Sequence, residues 1–199
     1  FPEGRYTRFT HVILLSVVGT FIVLHSRYRL IPGGWEEHDM RKTTVAAIQM
    51  GCGSDVKENI EKASELIREA AAQGAQVIGV VTDVADESEV QALADQAEQH
   101  FGPVNLLFNN AGVAAGGLVW ESTENDWQWL LDVNLKGVVS GVRCFTPRML
   151  AAAAADAGYR GCIINTASMA GLLTAPGLGI YSVSKHAVLA LSECLYHDL

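Results

Sequence analysis

The sequence predicts an α/β fold in which a parallel sheet carries helices on both faces. Short apolar runs alternate along the chain with longer segments whose apolar residues recur at helical spacing, and this alternation is typical of βαβ units. The two clearest runs are VNLLFNNAG and GCIINTAS, each of which enters a turn. With 49% apolar and 18% charged residues in 199, the composition is that of an ordinary globular protein with a sizeable core.

The charge and the cysteine content narrow the classes of function. The net charge is −8, and an acidic chain without a basic cluster argues against a nucleic-acid partner. The four cysteines are Cys52, Cys144, Cys162 and Cys194. No two have CxxC spacing, so the sequence predicts neither a metal site nor a disulfide. We interpret the cysteines as free thiols of a cytoplasmic protein.

Residues 1–39 are interpreted as an N-terminal extension of uncertain status. Their apolar run, Val12–Leu24, is shorter than the roughly 20 residues of a membrane span. A membrane anchor, a buried strand or helix, and a non-native extension all stay open, and the third is favoured. The reason is the segment IPGGWEEHDM, because codons for Gly-Trp-Glu-Glu ahead of Met40 can form a ribosome-binding sequence read in frame. A purine-rich, GGAGG-like run before the Met40 codon would support this hypothesis.

Residues 40–199 are predicted to form a single Rossmann-like α/β domain, which begins with a strand, a helix and a second strand. TVAAIQM predicts the first strand. The segment Val56–Gly74 has its apolar residues on one helical stripe, and Ser54 or Asp55 can cap its start. AQVIGVV predicts a second, buried strand.

Three further helical regions are predicted. Asp86 caps a helix that runs to about His100. The segment Ser122–Leu150 is a long helical region with a possible break near Asn134, where a polar side chain interrupts the apolar pattern. The last helix is Ile180–Leu199.

Tyr181 and Lys185 carry the chemistry that the sequence indicates most directly. Residues four apart lie on the same face of a helix. A phenol has a pKa near 10 and is a poor base at neutral pH, but a neighbouring ammonium favours its ionised form. Tyr-x-x-x-Lys can therefore exchange a proton with an alcohol or a carbonyl. The spacing alone is more often an aromatic packing stripe beside a solvated lysine.

Other polar side chains follow predicted strands. Ser168 ends NTAS, and Asn109–Gly112 follows the run VNLLF. Open α/β sheets bind ligands at the carboxyl ends of their strands, so these residues are candidates for a binding site. The structural alternatives are that Ser168 caps the next turn, that Asn109–Gly112 forms a plain turn, and that Asn134 bonds to backbone.

From about Val80, the chain resembles the short-chain dehydrogenase/reductase family. The matching motifs come in the family's order and with family-like spacing between serine and tyrosine. They are TDV (Thr82–Val84), NNAG (Asn109–Gly112), VNLKG (Val133–Gly137), NTAS (Asn165–Ser168) and YSVSK (Tyr181–Lys185). Each is weak alone, whereas the ordered set is specific. The resemblance implies a Rossmann-type doubly wound sheet and NAD(P)-dependent oxidation of an alcohol or reduction of a carbonyl.

The resemblance also implies roles for individual residues. Tyr181 would be the catalytic acid/base, Lys185 would lower its pKa and hold the nicotinamide ribose, and Ser168 would polarise the substrate oxygen. Asn134 would complete the tetrad by anchoring a water in the proton relay. Contacts with NAD or NADP are implied for Asp83 and Val84 on the adenine side, and for Asn110, Ala111 and Gly112 on the ribose side.

Residues 40–79 resemble a different family, the nitrilase superfamily and especially its carbamoylputrescine-amidase-like members. There GAQVI should lead to a catalytic glutamate, but here it leads into GVVTDV, so amidase activity is not expected. The dehydrogenase motif TGxxxGxG is also absent ahead of TDV. Only GCGSD (Gly51–Asp55) offers a comparable turn, and the charge of Asp55 would repel a phosphate. The chain is therefore interpreted as composite.

The predicted function is that of an NAD(P)-dependent oxidoreductase acting on a small alcohol or carbonyl. The alternative is a truncated or chimeric fragment that folds and oligomerises without turnover, because the family continues past the last helix into further strands and a substrate loop. Apolar faces left uncovered by such strands predict a homo-oligomer. The segments Val113–Val119 and Met169–Leu178 are predicted to flank the substrate cleft. Neither the substrate nor the choice between NAD and NADP follows from the sequence.

Overall fold

The computed structural model describes residues 11–15, 21–25, 61, 64, 65, 68, 72 and 77–199. Its strands are β1 (His11–Leu15), β2 (Phe21–His25), β3 (Val77–Val80), β4 (Leu106–Asn109) and β5 (Cys162–Asn165). Its helices are α1 (Glu87–Phe101), α2 (Glu124–Leu131), α3 (Gly137–Ala155) and α4 (Gly179–Asp198). A π-helix, Asp132–Lys136, joins α2 to α3, and Met169–Gly171 forms a 3₁₀ turn. The described residues between 61 and 72 are helical.

The described strands form one sheet in the order β3-β2-β1-β4-β5. The pairs β1–β4 and β4–β5 are parallel, whereas β2 is antiparallel to both of its neighbours. Strands β3, β1, β4 and β5 therefore run in the same direction. In the register, Leu15 pairs with Asn109 and Asn109 pairs with Asn165, so the carboxyl ends of these strands meet at one edge of the sheet.

The apolar run Val12–Leu24 contributes two paired strands to this sheet rather than one apolar helix. Strands β1 and β2 pair from His11 with His25 to Leu15 with Phe21. Among the residues that the structure describes, no helix is long and apolar enough to cross a membrane. The predicted strand TVAAIQM and the turn Gly51–Asp55 lie outside the described residues.

Helix α1 begins and ends as the sequence predicts. The Asp86 carboxylate accepts a hydrogen bond from the backbone N–H of Ser88 at 2.8 Å, which satisfies one of the free donors of the first turn. Hydrogen bonds from the Ser88 hydroxyl and from the Ser88 N–H hold the pKa of the exposed Asp86 carboxyl below its usual value. The helix ends at Gly102, whose φ of 79° lies in the left-handed region that favours glycine.

The described core lies between the sheet, α1 and α3. Helix α1 buries Val90, Leu93, Ala94 and Ala97. These side chains belong to one cluster with Leu107 of β4 and Phe145 of α3. Outside this cluster, Arg148 of α3 pairs with Asp95 and Glu98 of α1, so the charged pairs lie at the edge of an apolar contact between the two helices.

Phe145→Ala tests this core directly. Phe145 is fully buried, so we expect the free energy of unfolding to fall by about 3–5 kcal/mol, because both the transfer free energy and the packing of the ring are lost. Urea denaturation followed by circular dichroism measures the change.

The matched control is Leu150→Ala on the same helix, where the side chain is 54% exposed. This change should stay within about 0.5 kcal/mol. Equal losses in the two variants would contradict the assignment of the core to this face of α3.

Candidate active site

Loops from three strands bring the predicted site residues to the carboxyl edge of the sheet. Strand β3 ends at Val80 ahead of the TDV motif, β4 ends at Asn109 within NNAG, and β5 ends at Asn165 within NTAS. In the last two loops, the Thr166 hydroxyl donates to Asn110 Oδ1 at 2.8 Å. The NNAG and NTAS loops are therefore in direct contact, at the edge where open α/β sheets bind ligands.

Tyr181 and Lys185 lie one turn apart near the start of α4. The Lys185 Nζ atom is 5.8 Å from the centroid of the Tyr181 ring. Lys185 is only 4% exposed, and its ammonium donates a hydrogen bond to the carbonyl of Thr166 at 2.8 Å. Burial lowers the pKa of Lys185 from its ordinary value, because desolvation disfavours the charged form. The alternative interpretation, an aromatic packing stripe beside a solvated lysine, is therefore wrong for Lys185, which is buried.

Asn134 lies in the π-helix between α2 and α3, so the predicted break in the long helical region is confirmed. Its side chain is fully buried. The amide donates to the Val113 carbonyl at 2.9 Å and to Ser184 Oγ at 3.1 Å, while Oδ1 accepts from the Val113 N–H at 2.7 Å. Asn134 therefore joins the loop after β4 to α4. Single π-turns within helices are frequent at functional sites.

Ser168 begins the short 3₁₀ turn after β5 and is half-buried. Its Oγ accepts a hydrogen bond from the backbone N–H of Ala170 at 3.1 Å, as the structural alternative for Ser168 predicts. This bond uses a lone pair of the oxygen and leaves the hydroxyl proton for another acceptor. Capping the turn and donating to a substrate oxygen are therefore compatible.

Gly171 brings the Ser168 turn against the helix that carries Lys185. A Cβ atom on Gly171 would lie 2.8 Å from the carbonyl oxygen of Lys185, a distance that carbon and oxygen do not reach without a backbone shift. Gly112 has a related position, since a Cβ there would lie 3.4 Å from Asn134 Oδ1 and 3.5 Å from Lys185 Nζ. The NNAG backbone thus lies beside two of the predicted catalytic side chains.

The predicted adenine-side residues form a tight turn after β3. Val84 is buried, and a Cβ on Gly137 would lie 3.0 Å from its side chain, so the TDV segment packs against the start of α3. Asp83 is exposed; its carboxylate accepts from the Ala85 N–H at 2.9 Å. The hydroxyl of Thr82 is buried and has no hydrogen-bond partner in the described structure.

Three residues of this site were not singled out from the sequence. They are Thr166, Gly171 and Ser184. The Thr166 carbonyl accepts a hydrogen bond from Lys185, and the Ser184 hydroxyl accepts one from Asn134. Gly171 lets the 3₁₀ turn lie against the Lys185 backbone. Of these three residues, only Ser184 could have been identified from the sequence, because it lies between Tyr181 and Lys185 on the same predicted helix. The partners of Thr166 and Gly171 depend on how distant segments pack.

The two segments predicted to flank a substrate cleft do meet. The Gly117 N–H donates to the Gly177 carbonyl at 2.9 Å. A cavity of about 670 Å³ lies between the two segments, and Ser182, Val183 and His186 of α4 line its wall. Tyr181, Lys185 and Ser168 are not among its lining residues, so this cavity opens on a neighbouring face of α4.

Comparisons with known proteins agree with this arrangement. A sequence model of the family described as short chain dehydrogenase matches residues 41–199. An uncharacterised NAD-dependent oxidoreductase of Mycobacterium tuberculosis is 35% identical over 139 residues, which are 70% of this chain and 49% of that protein. A 3-oxoacyl-(acyl-carrier-protein) reductase of Staphylococcus aureus is 32% identical over 139 residues, or 70% of this chain and 54% of that protein.

Two solved structures extend the comparison to the fold. A short-chain dehydrogenase/reductase from Burkholderia phymatum, crystallised in complex with NAD, matches with a TM-score of 0.67 and 52% identity, over 71% of this chain and 48% of that one. A metagenomic short-chain oxidoreductase in complex with NADP matches with a TM-score of 0.64 and 30% identity, over 70% and 61% of the respective chains.

This chain belongs to the short-chain dehydrogenase family, because the family match covers well over half of its residues. The predicted Rossmann-type α/β class and the family resemblance are confirmed. The chain spans about half the length of the curated relatives it matches. The match begins at residue 41 and includes the segment interpreted as nitrilase-like; the composite origin of the chain stays a hypothesis.

Gly171→Ala tests the close approach that joins the Ser168 turn to α4. The added methyl group must displace the Lys185 carbonyl or its own turn, so we expect the free energy of unfolding to fall by about 1–3 kcal/mol. Urea denaturation provides the measurement.

The control is Gly161→Ala, where a Cβ would make ordinary contacts of 3.4 Å with Met149 and Tyr159. Its effect should stay near zero. A neutral Gly171→Ala variant would show that the 3₁₀ turn does not press against α4 as described.

Proposed function

We propose that this protein is an NAD(P)-dependent oxidoreductase that interconverts an alcohol and a carbonyl, with Tyr181 as the acid/base. The observation that carries the proposal is the buried ammonium of Lys185, 5.8 Å from the Tyr181 ring. Lowering a phenol pKa by about 3 units requires roughly 4 kcal/mol of preference for the phenolate. A desolvated cation so close to the ring can supply part of that preference.

The residues at the carboxyl edge fit a nicotinamide cofactor. Gly112 keeps the backbone beside Lys185 and Asn134 free of a side chain, which lets a flat ring or a ribose approach. The unpartnered hydroxyl of Thr82 lies next to Asp83 and Val84 on the predicted adenine side. The names of the relatives and the titles of the solved structures include both NAD and NADP, so the proposal covers either cofactor.

Each side chain has a distinct task in the proposed reaction. When bound, the cofactor supplies or accepts the hydride. Tyr181 gives a proton to the substrate oxygen in reduction and takes it back in oxidation. Ser168 donates a hydrogen bond from its hydroxyl to the same oxygen. Lys185 favours the phenolate of Tyr181 and reaches the cofactor ribose.

Asn134 completes the proposed tetrad chiefly by holding the loop after β4 against α4. All of the hydrogen bonds that its side-chain amide makes in the structure go to Val113 and Ser184. These bonds fix the NNAG loop relative to α4, which orients Gly112 toward Lys185. A water of the proton relay would then be held near Asn134 by the geometry of the π-helix rather than by the side-chain amide.

Tyr181→Phe tests the acid/base role. The chain is assayed with NADH and NADPH against a panel of small ketones and aldehydes, and with NAD and NADP against the corresponding alcohols. We expect turnover to fall by about 10²–10⁴-fold, the usual contribution of a general acid/base, while the cofactor Kd from fluorescence titration changes little. Lys185→Ala should weaken cofactor binding as well as turnover.

Two exposed residues provide matched controls. Tyr196→Phe changes a tyrosine that is 79% exposed at the end of the same helix, and Lys136→Ala removes an exposed lysine paired with Asp132. Both should keep wild-type binding and turnover. A wild-type chain that binds neither cofactor would instead favour the alternative, a non-catalytic fragment.

Homo-oligomerisation and a cytoplasmic location belong to the same proposal. Trp129 of α2 is 50% exposed and Val183 of α4 is 49% exposed, and these two helices are in contact. Large apolar side chains on adjacent helices commonly mark an association surface. Light scattering after size-exclusion chromatography is expected to give at least the mass of a dimer, and a monomer at all concentrations would contradict this part of the proposal.

A further inference from the structure

A continuous chain of side-chain hydrogen bonds runs from the sheet into the helix that carries Tyr181 and Lys185. Asn109 and Asn165 are register partners at the ends of β4 and β5. The Asn109 amide donates to Asn165 Oδ1 at 2.8 Å, and the Asn165 amide donates to Ser192 Oγ at 2.9 Å. The Ser192 hydroxyl in turn donates to the Val188 carbonyl at 2.7 Å. The chain therefore ends on the backbone of α4.

Two consecutive residues of the β5 loop hold α4 at two points. The Asn165 side chain bonds Ser192, and the carbonyl of the next residue, Thr166, accepts from Lys185. Ser192 lies two turns beyond Lys185, so both contacts fall on the same face of the helix. Two contacts separated by about 10 Å along a helix fix the direction of its axis as well as its position along that axis, which one contact cannot do.

The other end of the hydrogen-bond chain reaches α3. Asn109 is buried, and a Cβ on Gly141 would overlap its Oδ1 atom. Helix α3 can thus approach the sheet here only because residue 141 is glycine. Since α3 continues directly from the π-helix of Asn134, the paired asparagines set the spacing between the sheet and both helices that carry the proposed catalytic residues.

We propose that Asn165 is a positioning residue for the reaction, acting through Ser192 on the direction of the α4 axis. The inference rests on the proposed function, because its consequence is the alignment of Tyr181 and Lys185 above the strand ends. Without the Asn165–Ser192 bond, one of these two polar contacts with α4 is lost, and Lys185 moves relative to the Tyr181 ring. Small misplacements of this kind are costly in rate, whereas the fold is retained.

Ser192→Ala is the direct test, since alanine favours the helix and removes the hydroxyl that accepts from Asn165 and donates to the Val188 carbonyl. We expect kcat to fall about 10- to 100-fold. KM should change little, because Ser192 is expected to touch neither the substrate nor the cofactor. Ser192→Thr, which restores the hydroxyl, should recover the wild-type kcat. Cys194→Ala is the control, because it removes an exposed side chain two residues from Ser192 on the same helix, and it should keep the wild-type kcat.

A double-mutant cycle distinguishes the loss of the Asn165–Ser192 bond from a general loss of folded structure. Asn165→Ala combined with Ser192→Ala should be no slower than the worse single variant, because both remove the same bond. Additive losses, a rise in KM in place of a fall in kcat, or failure of Ser192→Thr to recover activity would each overturn the positioning role.

Hydrogen–deuterium exchange separates this inference from the proposed function. Backbone amides of residues 188–198 should exchange faster in Ser192→Ala than in the wild-type protein, and should be unchanged in Cys194→Ala. If the wild-type chain shows no turnover, the proposed function fails. Faster exchange then still supports the tether between Asn165 and α4, and unchanged exchange overturns it.

Discussion

The buried ammonium of Lys185 is the constraint on which the rest of the site depends. A charge that is almost wholly removed from water is strongly unfavourable unless protein groups replace the lost hydration. The Thr166 carbonyl supplies one such partner at 2.8 Å. The remaining cost lowers the pKa of Lys185. In the proposed reaction, this buried cation beside a phenol would assist proton transfer.

Close backbone approaches make this burial possible. Gly171 lets the Ser168 turn contact the Lys185 backbone, and Gly112 lets the NNAG loop lie beside the Lys185 side chain. Asn134 then fastens that loop to α4 through Val113 and Ser184. The glycines and the asparagine therefore act together: the glycines bring the segments into contact, and the buried amide fixes their relative position.

The sequence predicted the parts of the site that depend on local spacing. Tyr181 and Lys185 share a helix face because they are four residues apart, and the break at Asn134 followed from a polar side chain in an apolar helical pattern. Contacts between distant segments were not predictable in this way. The Asn165–Ser192 bond joins a strand end to a helix that follows much later in the chain, and no local pattern indicates it. The run Val12–Leu24 was ambiguous for another reason, since a short apolar run fits a strand, a buried helix or a membrane segment.

An NMR titration of Lys185 tests the central claim most directly. With lysine labelled at the ε-carbon, the Lys185 signal is assigned by its disappearance in Lys185→Arg. The structure predicts that this signal titrates below the ordinary lysine pKa of about 10.4, because burial disfavours the charged form. A Lys185 signal that titrates at or above the ordinary value would contradict a desolvated ammonium beside Tyr181.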